Sequence, residues 1–203
     1  MIKWKKLAAT VVAAAAAVSC VGCGNQALAY PLTIDGVKIK AGIYIYYSYQ
    51  AYTEATSTIQ KQNSDLDTTD EEVVKAQTID GKDAETWIKD RTMEYCKEFV
   101  AIQKDFDAKG LELSTEQTNQ VKNYISSAWD NSGETFEKNG IAESSVQDIF
   151  LSTYKEQELF QHYYGVDGEK GVTEDELKEY YEDNDARVRY ITFNLKDGNG
   201  DLL

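Results

Sequence analysis

Residues 83–110 read DAETWIKDRTMEYCKEFVAIQKDFDAKG. Ile88, Tyr95, Phe99, Ile102 and Phe106 recur at spacings of 7, 4, 3 and 4, which places them on one face of a helix turning once in about 3.6 residues. Asp83 stands where a side chain can accept a hydrogen bond from the free amides of a first turn, and Gly110 where a helix ends in a left-handed residue. The stretch predicts a long amphipathic helix over 84–109. Its apolar face needs partners, so the core must be assembled from further helices.

Those helices are legible on the C-terminal side. Ser114-Thr-Glu-Gln117 has the capping-box pattern, in which the serine and the residue three later satisfy each other's amides. It starts a helix carrying Val121, Ile125, Ala128 and Trp129, which Ser132-Gly133 weakens and Asn139-Gly140 ends. Residues 144–164 fit another helix, with Val146, Ile149, Phe150, Tyr154, Leu159 and Tyr163 as apolar positions and Gly165 closing it. Thr173-Glu-Asp-Glu176 caps a short helix bearing Leu177, Tyr180 and Tyr181. After Asn184-Asp185 the character changes, and Arg187–Leu195 is rich in β-branched and aromatic residues. It reads as one strand followed by a turn over 196–201. A lone strand needs a ladder partner. Either the strand docks on an N-terminal hairpin or it begins a second domain; the second account is favoured, because strong strand signals between residues 40 and 186 are missing.

On the N-terminal side, Leu32–Ile39 places Asp35-Gly36 between two β-branched pairs, a hairpin signal. Residues 43–52 have a strand-like composition, yet Ile45, Tyr49, Tyr52 and Ile59 also form a helical stripe, and periodicity leaves the two readings open. Residues 63–77 are polar and acidic, as in a loop or a weak helix. Thr-Ile-Asp-Gly occurs at 33–36 and again at 78–81, too short an echo to argue for a repeat.

The chain opens with Met1-Ile-Lys-Trp-Lys-Lys6, continues with an apolar run from Leu7 to Val18 broken only by Thr10, and then has Ser19-Cys-Val-Gly-Cys-Gly24. That is the order of a signal peptide, and the run is too short to span a bilayer, which takes about 20 residues. A cysteine flanked by Gly22 and Gly24 resembles the lipobox of bacterial lipoproteins. Cys23 is the preferred lipidation site and Cys20 the alternative; plain secretion with cleavage near Ala27 or Ala29 is the competing reading. Residues 1–22 are read as the leader and 23–31 as a tether.

The formal net charge is −14, and loss of the leader would remove Lys3, Lys5 and Lys6 as well. So acidic a surface repels phosphates and anionic headgroups, which argues against a nucleic-acid partner. Once a leader is removed at Cys23, Cys96 is the one cysteine beyond the anchor, so stability must come from a packed core.

Catalytic chemistry finds little support. The single histidine, His162, sits near a helix end, where it can complement the helix dipole, and no serine or cysteine motif offers it a nucleophile. One histidine and one internal cysteine give no metal-ligand spacing. Asp197-Gly-Asn-Gly-Asp201 lacks the glutamate and flanking helices of a calcium loop. Neither a catalytic residue, a metal site nor a cofactor is expected. Cys96 lies inside the strongest helix, where burial makes a thiol inert. Six of the fourteen tyrosines fall at positions 30, 44, 46, 47, 49 and 52. Tyrosine offers large amphipathic area at low entropic cost, so Tyr44, Tyr47, Tyr49 and Tyr52 are candidate contacts for loosely bound unfolded segments.

The lipobox, the hairpin IDGVKI, the helical region and then GVTEDELKEYYEDNDARVRYITF (residues 171–193) together resemble the PrsA and SurA class of extracytoplasmic foldases. The resemblance covers most of the chain after the leader, and its specific part is residues 171–195. It implies a mainly α fold: a SurA-N-like helical chaperone domain over 32–183, with a short N-terminal hairpin, joined to one strand that begins an incomplete parvulin domain over 186–203. It also implies a lipid-anchored chaperone on the outer face of the bacterial cytoplasmic membrane, with unfolded exported proteins as partners. A histidine common in the family's first parvulin strand is replaced here by Tyr190, and no isomerase site is expected within these 203 residues. A non-catalytic envelope lipoprotein is the alternative. A solute-binding lipoprotein is disfavoured, because such proteins alternate strands and helices around a cleft.

Overall fold

A computed structural model describes residues 29–165, 168–190 and 195. The leader, Cys20, Cys23 and most of the tether therefore lie outside the described residues. The chain divides into two compact units, one ending at Leu159 and one beginning at Phe160.

The first unit opens with a hairpin, β1 (Leu32–Ile34) and β2 (Val37–Ile39), followed by α1 (Ala41–Gln62) and the short α2 (Glu71–Lys75). A second hairpin, β3 (Thr78–Ile79) and β4 (Lys82–Asp83), leads into α3 (Ala84–Ala108). Then come α4 (Thr115–Lys138) and α5 (Glu143–Tyr164). The fold is mainly helical, as the periodicities predict, with the expected hairpin near its start.

The caps sit where the sequence places them. Asp83 accepts from the Thr86 amide, Ser114 and Gln117 form a complete capping box, and α3 ends at Gly110 with φ 63°. Gly133 does not interrupt α4. It is buried because Trp129 lies directly across it, and the indole stacks on Phe136 at 5.7 Å.

One open reading is settled and two expectations are corrected. The ambiguous 43–52 segment is helical, and its buried line is Ile43, Tyr47, Ala51, Ala55 and Ile59, a strict fourth-residue repeat. Ile45, Tyr49 and Tyr52 flank that line. The small side chains of Ala51 and Ala55, both 0% exposed, let α3 approach, and this packing selects helix over strand.

Strands also occur between residues 40 and 186. Both copies of Thr-Ile-Asp-Gly form antiparallel hairpins, with Ile34 opposite Val37 and Ile79 opposite Lys82. Both turns put Asp and Gly at positive φ: Asp35 49° and Gly36 82°, Asp80 51° and Gly81 78°. Each hairpin runs into a helix whose first amide bonds back across the hairpin to the chain before it, Ala41 N–H to the carbonyl of Ala29, three residues ahead of β1, and Ala84 N–H to that of Gln77, immediately ahead of β3. The echo therefore marks a repeated hairpin–helix unit.

Finally, residues 187–190 are not a strand. They have no ladder partner among the described residues, and Val188 and Tyr190 are 75% and 85% exposed. β propensity without a pairing edge leaves backbone groups to water. Residues 191–194 lie outside the described residues.

The core has three connected parts. Ile39, Ile43, Tyr47, Cys96, Phe99 and Ile149 join β2, α1, α3 and α5. Ala51, Ile59, Val74, Ile79 and Ile88 join α1 and α3 to α2 and the second hairpin. Val121, Ile125, Ile141 and Val146 join α4 to α5.

The second unit contains the end of α5 and α6 (Glu174–Asn184). Thr173 and Glu176 complete its capping box. His162 Nε2 lies 3.0 Å from Glu169 Oε1.

Candidate functional site

Aromatic residues from α1 and α3 converge at the centre of the first unit. The Tyr47 ring stacks on Tyr95 at 5.5 Å with a 20° interplanar angle, meets Phe99 edge-on at 6.3 Å and lies 6.1 Å from Tyr46. These geometries are the offset and edge-to-face arrangements that aromatic quadrupoles favour. Beside the cluster runs a groove of about 250 Å³. Its apolar wall comes from Tyr46 and Tyr47 on α1, Tyr95, Phe99 and Ile102 on α3, and Phe150 on α5. Gln50, Glu98 and Glu156 are exposed along its rim.

Polar contacts hold the walls in place. Tyr95 donates its hydroxyl to Glu54 Oε2 at 2.7 Å, and the same oxygen accepts from Arg91 Nε at 2.9 Å. Arg91 also pairs with Glu94 and sets its guanidinium 4.4 Å from the Tyr95 ring centroid. Burial opposes ionisation of Glu54, but the bonds from Arg91 and Tyr95 outweigh it and hold its carboxyl below the ordinary value. On the other side, Lys155 donates to Gln103, which donates to Ser152, tying α5 to α3.

Burial raises the Tyr47 phenol well above its ordinary value, with Cys96, Glu98 and Glu156 adding to the effect. The ring therefore stays neutral. Glu98 and Glu156 meet no cation within ion-pair distance among the described residues. The groove thus combines fixed aromatic faces with uncompensated negative charge, a surface suited to apolar segments carrying lysine or arginine.

The four candidate tyrosines separate. Tyr47 is 9% exposed and forms groove wall and core, so it offers a client little surface of its own. Tyr44 and Tyr52 line a different feature, an apolar slot of about 40 Å³ walled also by Val74, Ala84 and Ile88. Two ion pairs border that slot, Lys75–Glu71 at 2.8 Å and Lys89–Glu85 at 2.6 Å. Burial, more than any charge nearby, raises both phenols. Tyr49 is half-buried and lines neither feature. The groove residues outside the tyrosine-rich stretch, Tyr95, Phe99, Ile102 and Phe150, are apolar stripe positions. Their periodicity signals burial, and only tertiary packing shows which of them open onto a groove.

Cys96 is 0% exposed, and burial alone pushes its thiol up to about 12. At neutral pH it is neither a nucleophile nor a ligand. Among the described residues no group of three His, Cys, Asp or Glu is placed to hold a metal ion, and no helix is long and apolar enough to cross a membrane. Tyr190 is solvent-exposed and belongs to no sheet among the described residues. No family model, curated protein or solved structure matches the chain.

Proposed function

We propose that the chain is an extracytoplasmic, membrane-anchored chaperone, SurA-like in its helical unit, that holds unfolded exported proteins while they fold. The aromatic groove with its acidic rim carries this reading. An unfolded chain exposes apolar side chains beside basic ones. A groove of about 250 Å³ accommodates one large side chain at a time, so binding is weak per site and reversible. Gly22-Cys23-Gly24 behind the apolar run supports the anchor. The resemblance of TEDELKEYYEDN to the foldases' joining helix supports the compartment and the client class.

Light scattering from an aggregating unfolded client tests the reading. The chain processed at Cys23 is expected to delay aggregation, and Glu98→Lys with Glu156→Lys to shorten that delay for a basic client. Both residues are exposed, so the variant keeps its fold. A chain that leaves aggregation unchanged would refute the chaperone reading. The same preparation is expected to leave the slow cis–trans exchange of a proline peptide unaccelerated. Mass spectrometry of the membrane fraction is expected to find a diacylated peptide beginning at Cys23; an unmodified peptide beginning at Tyr30 would refute the anchor.

A further inference from the structure

α6 has no buried residue. Leu177, Tyr180 and Tyr181, at the i, i+3, i+4 spacing of one helix face, are 57%, 66% and 54% exposed. An isolated helix of 11 residues is marginal in water. Here the Thr173–Glu176 capping box and three acidic residues in the first turn support it. Among the described residues, the apolar side chains of α6 enter no core.

Charge indicates what covers that face. Six acidic residues lie between 174 and 183, against Lys178 alone; Glu174, Glu176 and Asp183 border the stripe, and Asp175, Glu179 and Glu182 lie on the opposite face. Glu176 is committed to the cap and Glu182 lies 3.9 Å from Lys178. Glu174, Asp175, Glu179 and Asp183 pair with no cation among the described residues. A second copy would set these carboxylates against their own kind, and an anionic bilayer would repel them. The complement is apolar in the middle and basic at the edges.

We propose that α6 is a docking helix for a basic amphipathic helix of a partner protein, with lysines or arginines flanking apolar residues at matching i, i+3, i+4 spacing. The proposal rests on α6 alone and is independent of the aromatic groove.

Fluorescence anisotropy on the full chain tests it. The probe is a labelled synthetic helix with leucines at i, i+3, i+4 and i+7 flanked by lysines, compared with the same peptide carrying glutamates. The lysine peptide is expected to bind, more weakly as salt rises, and the glutamate peptide to fail. Leu177→Ser with Tyr180→Ser and Tyr181→Ser should weaken binding by about tenfold or more, as removal of central anchors does. Because serine also lowers helix propensity, Glu174→Lys with Asp183→Lys provides a variant that keeps the stripe and reverses the charges bordering it, and it should weaken the lysine peptide and admit the glutamate one. Glu112→Lys, an exposed change outside both α6 and the groove, should leave binding unchanged. Equal affinity for the two peptides, insensitivity to every α6 substitution, α6-dependent self-association in sedimentation, or α6-dependent binding to phosphatidylglycerol vesicles would each overturn the proposal.

Discussion

Gly42, near the start of α1, lies against Ser145, near the start of α5, with no room for a side chain between them: a Cβ on Gly42 would stand 2.5 Å from Ser145 Oγ and 2.8 Å from its Cβ. The Ser145 hydroxyl is buried and has no hydrogen-bond partner among the described residues. The contact is therefore made for closeness, and the hydroxyl adds nothing to it. Gly42→Ala should destabilise the fold by about 1–3 kcal/mol, because the serine Cβ cannot rotate away and overpacking outweighs the helix-propensity gain. Ser145→Ala should be neutral or stabilising by up to about 1 kcal/mol, since it removes an unsatisfied buried group. Urea midpoints of the two variants decide this, and the opposite order would disprove the account.

Phe99 is 7% exposed and meets Tyr47 at the bottom of the groove. Phe99→Ala should cost about 3–5 kcal/mol, from lost transfer energy plus the cavity left behind. Phe160, 58% exposed, is a control whose change to alanine should stay within about 0.5 kcal/mol. Chemical denaturation of both gives the comparison.

The Cys96 thiol should make the fold sensitive to alkali. Its ordinary value is 9.0, and burial raises it to about 12 in the folded chain. The native state holds the proton more tightly than the unfolded state, so the stability it contributes is complete below pH 9 and is lost as pH rises toward 12. Cys96→Ala should flatten the decline, and Tyr47, raised by burial in the same direction, should leave a residual slope. Urea unfolding across that range measures it. In peptide-mapped alkylation at about pH 8, below the ordinary thiol value, Cys96 should react only after denaturation.

The paired hairpins predict paired costs. Nothing lies within 4 Å of a Cβ built on Gly36 or Gly81, yet both have positive φ. Any penalty there is one of backbone conformation, so Gly36→Ala and Gly81→Ala should each cost about 1–2 kcal/mol. A variant as stable as its parent would show that the turn had relaxed to another form.

Local rules placed much of this chain. Asp83, Ser114 and Thr173 announce helices because a cap needs only its own next three residues, and Gly110 and Asn139-Gly140 end them for the same reason. Hydrophobic spacing identified the α3 face, and Asp35-Gly36 the first hairpin.

What escaped depends on neighbours distant in sequence. A cap reads the same whatever packs nearby, but the segment from Ile43 to Tyr52 suits strand or helix equally until Ala51 and Ala55 meet α3. Thr-Ile-Asp-Gly is four residues long, and its second copy is a hairpin because Ile79 enters the core beside Ile59 and Val74. Arg187–Tyr190 has the composition of a strand and no edge to pair with among the described residues. The aromatic groove is less legible still. Tyr46, Tyr95 and Phe150 come from three helices; apolar spacing marks Tyr95 and Phe150 as inward-facing without saying whether the space they face is filled, and it does not mark Tyr46 at all. Propensity, capping and turn chemistry act within a few residues and can be read along the chain; the choice among compatible conformations, and the void left between packed helices, are set by side chains that meet only once the chain has folded.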